Sequence, residues 1–162
     1  MQIELKENNL APNFKLPSSD GKEVSLKDFY GKNLVLYFYP KDSTPGCTIQ
    51  GNDFSSKLEE FKKINTIIVG VSKDNAKSHK NFITKQCIKF DLLSDVDGTI
   101  CNLYGVWKEK SMFGKKYMGI ERSTFLIDKD GVLRKIWHKV NVNGHANNVL
   151  MEAKKLNSLL VT

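Results

Sequence analysis

The run Leu34-Val35-Leu36-Tyr37-Phe38-Tyr39, closed by Pro40, constrains this chain more than any other feature. Strand formers follow one another without a polar break, so neither face of the strand is suited to water. Such a strand belongs at the centre of a sheet covered on both sides. Thr66 to Val71 is a second run of the same kind. Between them Phe54, Leu58, Phe61 and Ile64 recur at helical spacing, which predicts one amphipathic helix from Cys47 to about Lys63.

The remaining pattern extends this βαβ start. Asn13-Phe14-Lys15-Leu16, the turn Ser18-Ser19-Asp20-Gly21 and the alternation of Val24 and Leu26 read as an N-terminal β-hairpin. A helix is expected from Asn75 to about Gln86, capped by Asp74 or Asn75, then a short strand at Leu92-Leu93. Asp97 is expected to cap a helix through Tyr104. Strands follow at Phe113 to Met118, Ser123 to Asp128 and Val132 to His138, the last two joined by the turn Asp128-Lys129-Asp130-Gly131. A final helix from His145 to Leu160 places Val149, Ala153, Leu156 and Leu160 on one face. Early βαβ alternation followed by a hairpin implies an α/β fold, a mixed central sheet with helices on both faces. A thioredoxin-like sandwich has that layout, although periodicity alone does not separate it from other α/β folds. No repeat or linker interrupts the pattern, so residues 1–162 read as one domain.

With 40% apolar and 27% charged residues, a chain of 162 residues buries enough surface to fold without a disulfide or metal staple. Its three cysteines, Cys47, Cys87 and Cys101, therefore need another explanation. They are odd in number and widely spaced, residues 1–10 carry no signal-like apolar run, and no segment is long enough to span a membrane. The expectation is a cytoplasmic protein with free thiols. The net charge of +7 is scattered, densest from Lys108-Glu109-Lys110 through Lys115-Lys116, with acid mixed in. That pattern implies solubility and weak attraction to anions rather than a specific nucleic-acid or membrane partner. His79, His138 and His145 stand isolated, without metal-ligand spacing, and read as solvated or capping residues. No Cys-x-x-Cys and no glycine-rich phosphate loop occurs, so neither metal nor cofactor is expected.

Chemistry concentrates where the first buried strand ends. After Pro40 comes Lys41-Asp42-Ser43-Thr44-Pro45-Gly46, and Cys47 lands in the first turn of a helix. Free N–H donors and the positive end of the helix dipole favour thiolate over thiol there. The carboxyl end of a strand is also where open α/β sheets place ligands. Thr44, three residues earlier, puts a hydroxyl within reach of that sulfur or of an incoming oxygen. The plain alternative is a buried structural thiol, but Pro-Gly-Cys-Thr at a strand-to-helix turn is a poor place for a core residue. Cys101, beside Ile100 and Leu103 on a short helix, reads as structural. So does Cys87 near a helix C-terminus, although it is the better candidate for a second redox partner.

Pro40-x-x-x-Thr44-x-x-Cys47 resembles the peroxidatic signature of the peroxiredoxins. Ala11-Pro12-Asn13-Phe14, Leu34 to Asp42, Leu93-Ser94-Asp95, Tyr104-Gly105-Val106-Trp107 and Arg122 to Asp128 are similar to the bacterioferritin comigratory protein, or Q-type, branch. The resemblance runs from about residue 5 to the C-terminal helix. It implies a thioredoxin fold with an N-terminal hairpin extension. It also implies a Cys47 thiolate that attacks the O–O bond of a hydroperoxide and becomes a sulfenic acid. Arg122 matches the family's active-site arginine, whose fork would hold the thiolate and polarise the peroxide. A solvated Arg122 paired with Glu121 or Asp128 is the plainer alternative. Pro40 would shield the sulfur from water, and Thr44 would hydrogen-bond the peroxide oxygens. Thioredoxin or another thiol reductant would recycle the enzyme, and many members of the branch are monomers.

The sequence departs from its relatives in three places. Asn52 stands where many carry a resolving cysteine, so the short bridge to Cys47 cannot form. Others place that cysteine at the position of Ile83, and Cys87 lies one helical turn further on. Bridging Cys47 to Cys87 would need local unfolding to bring their Cα atoms within about 7 Å. Gln50 replaces a glutamate common in relatives, removing a carboxylate near the sulfur. The competing reading is a non-catalytic thioredoxin-fold binding module or redox sensor, which would oxidise once and recover slowly instead of turning over.

Overall fold

The computed structural model describes residues 4–161, with the backbone alone at 160 and 161. Expectations for residues 1–3 and for the Leu160 side chain lie outside the described residues. The N-terminal hairpin forms as β1 (Lys15–Pro17) against β2 (Glu23–Ser25), with Leu16 opposite Val24. A 3-10 turn over Leu26–Phe29 leads into β3 (Asn33–Phe38), every residue of which is buried. Then come α1 (Pro45–Ser56), α2 (Leu58–Lys63), β4 (Thr66–Ser72), α3 (Ala76–Gln86), β5 (Asp91–Ser94) and α4 (Thr99–Leu103). A hairpin of β6 (Trp107–Met112) and β7 (Lys115–Ile120) precedes β8 (Ser123–Ile127), β9 (Leu133–Trp137) and α5 (His145–Val161).

The main sheet has the order β5-β4-β3-β8-β9, with the apolar run at its centre. The pairs β3–β4 and β4–β5 are parallel, while β8 runs antiparallel to β3 and β9 to β8, so the sheet is mixed as expected. Alternation along β3 explains its unbroken hydrophobicity. Leu34, Leu36 and Phe38 face one core with Val69, Val71, Phe125, Ile127 and the N-terminal hairpin. Val35 and Tyr37, followed by Tyr39, face the other, with Phe54, Phe61, Phe82 and the α5 residues Val149, Ala153 and Leu156. Gly70 of β4 is needed on this second side: a Cβ there would come within 2.9 Å of the Tyr37 ring.

Three expectations need correction. The helix predicted from Cys47 to Lys63 is two helices, because Lys57 (φ −105°, ψ 5°) leaves the helical conformation, and Ile64 lies beyond the second. The apolar period survives the break, since Phe54 and Phe61 enter the same core. The strand predicted over Phe113 to Met118 is the second arm of a hairpin whose tip is Phe113-Gly114, both at positive φ. Its partner β6, Trp-Lys-Glu-Lys-Ser-Met, lies off the main sheet and carries no buried run that periodicity could detect. At α4 the N-cap residue is Gly98, not Asp97, although an Asp97 carboxylate oxygen accepts the Thr99 N–H at 2.9 Å. Asp95 contributes more there, accepting the Ile100 and Cys101 amides at 3.2 and 2.7 Å. The cap of α3 is Asn75, whose side chain accepts the Ser78 N–H. No helix among the described residues is long and apolar enough to cross a membrane.

Candidate active site

Strand β3 ends at Phe38, and the loop after it carries Pro40 and Thr44 to the start of α1. Thr44 is the N-cap residue, with extended backbone (φ −88°, ψ 156°), and Pro45 takes the first helical position, where its missing N–H costs nothing. Cys47 therefore falls in the first turn, and no acidic residue in that turn offsets the helix dipole. Pairing of β8 with β3 does the rest. Phe38 lies opposite Ser123, so Arg122 arrives beside the end of β3 from far along the chain.

The Arg122 guanidinium bridges two side chains. Nη2 donates to Cys47 Sγ at 3.4 Å, and Nη1 donates to Gln50 Oε1 at 2.7 Å. The alternative pairing with Asp128 does not occur, because Asp128 is taken by Arg134 at 2.7 Å. Gln50 and Cys47, three apart on α1, thus present a sulfur and a neutral acceptor to one planar fork. Gly46 makes the approach possible, since a Cβ there would come within 3.1 Å of Nη2. The Cys47 side is closed to solvent, at 2% exposure, so the charge faces it across little water.

The Thr44 hydroxyl donates to the Lys41 carbonyl at 2.8 Å, so the proton is committed and Oγ1 is left as an acceptor. Pro40 and Thr44 line a cavity of about 550 Å³ between this loop and the β6–β7 hairpin.

The same loop is clamped from below by residues that sequence reasoning did not connect. Buried Asp42 accepts from the Tyr39 hydroxyl at 2.5 Å and from the Ser78 hydroxyl at 2.8 Å, and lies 2.7 Å from His79 Nδ1. His79 Nε2 lies 3.0 Å from the Leu93 carbonyl, while the Asp42 amide donates to Asp74 at 2.8 Å. Burial pushes the Tyr39 pKa far up and keeps its hydroxyl a donor. Asp42, Asp74 and His79 place ligand atoms within 4.8 Å of one another. Asp42 Oδ2, Asp74 Oδ2 and both His79 ring nitrogens already have protein partners, and His79 Nδ1 and Asp42 Oδ2 contact each other directly. The group therefore ties the loop to α3 and β5. His79 is fully buried, and His145, the first residue of α5, is buried against Thr124 Oγ1 at 2.8 Å, so neither is solvated, one of the two readings expected of an isolated histidine. Burial, with the Arg122 charge adding, pulls the His145 pKa from 6.5 down to about 4. The Asn75 cap announced that region locally, whereas Asp42 meets Ser78 and His79 across 36 and 37 positions.

The remaining cysteines stand apart. Cys87 is exposed at the C-cap of α3 in a left-handed conformation (φ 55°). Cys101 is buried, and burial followed by the Asp95 carboxylate pushes its thiol pKa far up.

Residues 8–136 match the model of the AhpC/TSA family. Peroxiredoxin Bcp of Xanthomonas campestris is 50% identical over 146 residues, covering 89% of this chain and 91% of that protein. Peroxiredoxin Bcp of Bacillus subtilis is 46% identical over 156 residues, covering 96% and 98%. Among solved structures, Xanthomonas campestris peroxiredoxin Q superposes with a TM-score of 0.85 at 49% identity, covering 89% of this chain and 91% of that one. Xylella fastidiosa PrxQ superposes with a TM-score of 0.90 at 39% identity, covering 94% and 98%. A helix-capped cysteine under an arginine fork, on a thioredoxin-like sheet shared with these proteins, places the chain in the AhpC/TSA family, as a peroxiredoxin of the bacterioferritin comigratory, Q-type branch.

Proposed function

We propose that the protein is a thiol-dependent peroxidase in which Cys47 is the sulfur oxidised. The 3.4 Å contact between the Arg122 guanidinium and a buried sulfur at a helix N-terminus carries this reading. The Cys47 thiolate attacks the terminal oxygen of a hydroperoxide. The O–O bond breaks, its electron pair leaves with the distal oxygen, and that oxygen takes a proton to become water or an alcohol. Sulfur is oxidised by two electrons to the sulfenic acid. Arg122 holds the attacking anion and meets the charge developing on the leaving oxygen, with no metal or flavin. Thr44 Oγ1, its own proton given to Lys41, accepts the O–H of the hydroperoxide. Pro40 keeps water from the sulfur. A relative, the Xanthomonas campestris bacterioferritin comigratory protein, is described with alkyl peroxide reduction activity, which supports extending the substrate class to organic hydroperoxides.

Recovery takes two external thiols, from thioredoxin or another thiol reductant. The first displaces water to give a mixed disulfide, and the second resolves it, so one hydroperoxide and two thiols give alcohol, water and a disulfide. Exposed Cys87 and buried Cys101 are not needed for this cycle. Cys87→Ser and Cys101→Ser proteins should both turn over with thioredoxin. Loss of recycling in Cys87→Ser, with the first oxidation intact, would establish a two-cysteine cycle instead. Reduced protein should consume hydroperoxide over many turnovers, and Cys47→Ser should not; a Cys47→Ser protein that still turned over would end this reading.

We further read the chain as one domain, because both cores share the five-stranded sheet, and as a monomer acting in the cytoplasm with its thiols unpaired. Sedimentation as anything larger than an 18.4 kDa particle would contradict the monomer.

A further inference from the structure

We propose that the tip of the β6–β7 hairpin, Met112-Phe113-Gly114 with Lys115 and Lys116 beside it, is a docking surface for an anionic lipid bilayer. Docking there does not depend on the peroxidase reading, since it is measured without peroxide. Phe113 works against its own turn. Met112 pairs with Lys115, so Phe113-Gly114 is a two-residue hairpin loop, with φ of 52° and 77°. Two positive φ values in a loop of this length favour Asn-Gly. A bulky side chain is strained in that region, and Phe113 recovers nothing through packing, being 97% exposed. Asparagine would serve the fold better.

The surroundings of Phe113 fit a membrane surface. The hairpin forms its own two-stranded sheet, off the main one, and its Met112, Tyr117 and Met118 are exposed as well. Its pleat gathers lysines that look scattered in the sequence. The first pair behind the loop holds Lys115, the second holds Lys116, and the third sets Lys110 opposite Tyr117. Strands rise about 3.4 Å per residue, so the backbones of Lys115 and Lys116 follow the loop within about 7 Å. An apolar tip, then cations on long stems, then an aromatic hydroxyl, is the order in which a bilayer interface passes from acyl boundary to headgroups. Glu109, paired with Lys116 at 3.7 Å, is the one carboxylate of the hairpin, against four lysines. Among the described residues Lys108, Lys110 and Lys115 form no salt bridge. A nucleic-acid duplex would use the lysines and leave the exposed Phe113 and Met112 without a role. Lys110, Met112 and Tyr117 also line the cavity that holds Pro40 and Thr44, so a docked hairpin sets the mouth of the active site against the bilayer.

The test is sedimentation of the reduced full chain with sucrose-loaded vesicles, either phosphatidylglycerol mixed equally with phosphatidylcholine or phosphatidylcholine alone, at about 0.1 M salt. We expect binding about tenfold tighter to the anionic vesicles, weakening as salt is raised. Lys115→Gln should lower the partition coefficient about fivefold and Lys115→Gln/Lys116→Gln about twentyfold, the factors of one and two lysines near an anionic surface. Phe113→Asn should lower it about tenfold, the loss of most of one buried phenyl ring. The thermal unfolding midpoint of Phe113→Asn should equal or exceed that of the unaltered protein, because the turn gains its favoured residue. Equal affinity for both vesicles, affinity for neither, or binding untouched by Phe113→Asn or by the lysine pair would overturn the proposal. So would a lower midpoint in Phe113→Asn, which would give Phe113 to the fold. A DNA duplex bound more tightly than the vesicles, and equally by Phe113→Asn, would give the lysines to nucleic acid and likewise overturn it.

Discussion

Cys47 and Cys101 lie on opposite sides of the same sheet, each packed into one of the two cores. Solvent reaches neither: their exposures are 2% and 0%. Each sits in a helix, and each has one charged side chain as its nearest electrostatic neighbour. For Cys47 that neighbour is the Arg122 guanidinium, and for Cys101 it is the Asp95 carboxylate. Both sulfurs are buried, so what separates their surroundings is the sign of the charged neighbour. On one side a cation and a helix N-terminus without an acidic residue in its first turn face Cys47. On the other, burial, and after it the carboxylate that accepts the Cys101 amide, push the thiol pKa up and disfavour the thiolate.

The largest expected effect is at the sulfurs themselves. Cys47→Ser should abolish peroxide consumption in stopped-flow assays, while Cys101→Ser stays within about twofold of the unaltered rate. Equal losses in both would erase the contrast. Replacing the cation comes next: Arg122→Met should lower the rate of Cys47 oxidation by roughly 10²–10³-fold, the range for loss of one preorganised donor. Fold stability, read by urea unfolding, should change far less.

Burial, and after it the Arg122 charge, also opposes a cation at His145. Its pKa falls from 6.5 to about 4 in the folded protein. Between those values the unfolded chain binds a proton that the native state refuses. Stability is therefore full above about pH 6.5 and declines as the pH drops toward 4, by on the order of 3 kcal/mol. His145→Gln should flatten this part of the profile of urea unfolding against pH; an unchanged slope would assign the acid loss to other groups.

On the other side, Asp95→Asn removes one charged acceptor from two helix amides. It should cost about 1–2 kcal/mol, seen as a lower unfolding midpoint, and should let Cys101 react sooner with alkylating agents under mild denaturant. The smallest effect concerns Gln50. Gln50→Glu gives Arg122 a carboxylate partner and should slow Cys47 oxidation about threefold, because part of the guanidinium's field is then neutralised.

What could be read from the chain alone follows the range of the interactions. Strands β3 and β4 announced themselves because both faces are buried, and α3 because Asn75 caps it locally. Cys47 was legible from the strand-loop-helix pattern, but the contacts around it were not. Arg122 meets Gln50 and Cys47 across 72 and 75 positions, and Asp42 meets His79 across 37. Pairing of β3 with β8 creates the first set, and packing of α3 under the loop creates the second. The break at Lys57 left the hydrophobic period intact, and β6 buries little, so neither left a periodic trace, although β7, the partner of β6, reads as a strand. Only resemblance brought Arg122 forward; its charge pattern alone pointed to a surface pairing with Glu121 or Asp128.

One measurement tests the central claim most directly. Reduced protein is given one equivalent of hydrogen peroxide, sulfenic acid is trapped with dimedone, and the cysteine peptides are weighed. We predict an adduct on the Cys47 peptide, none on that of Cys101, and strongly delayed labelling at Cys47 in Arg122→Met. Oxygen arriving first at Cys87 or Cys101, or equally at all three thiols, would contradict it.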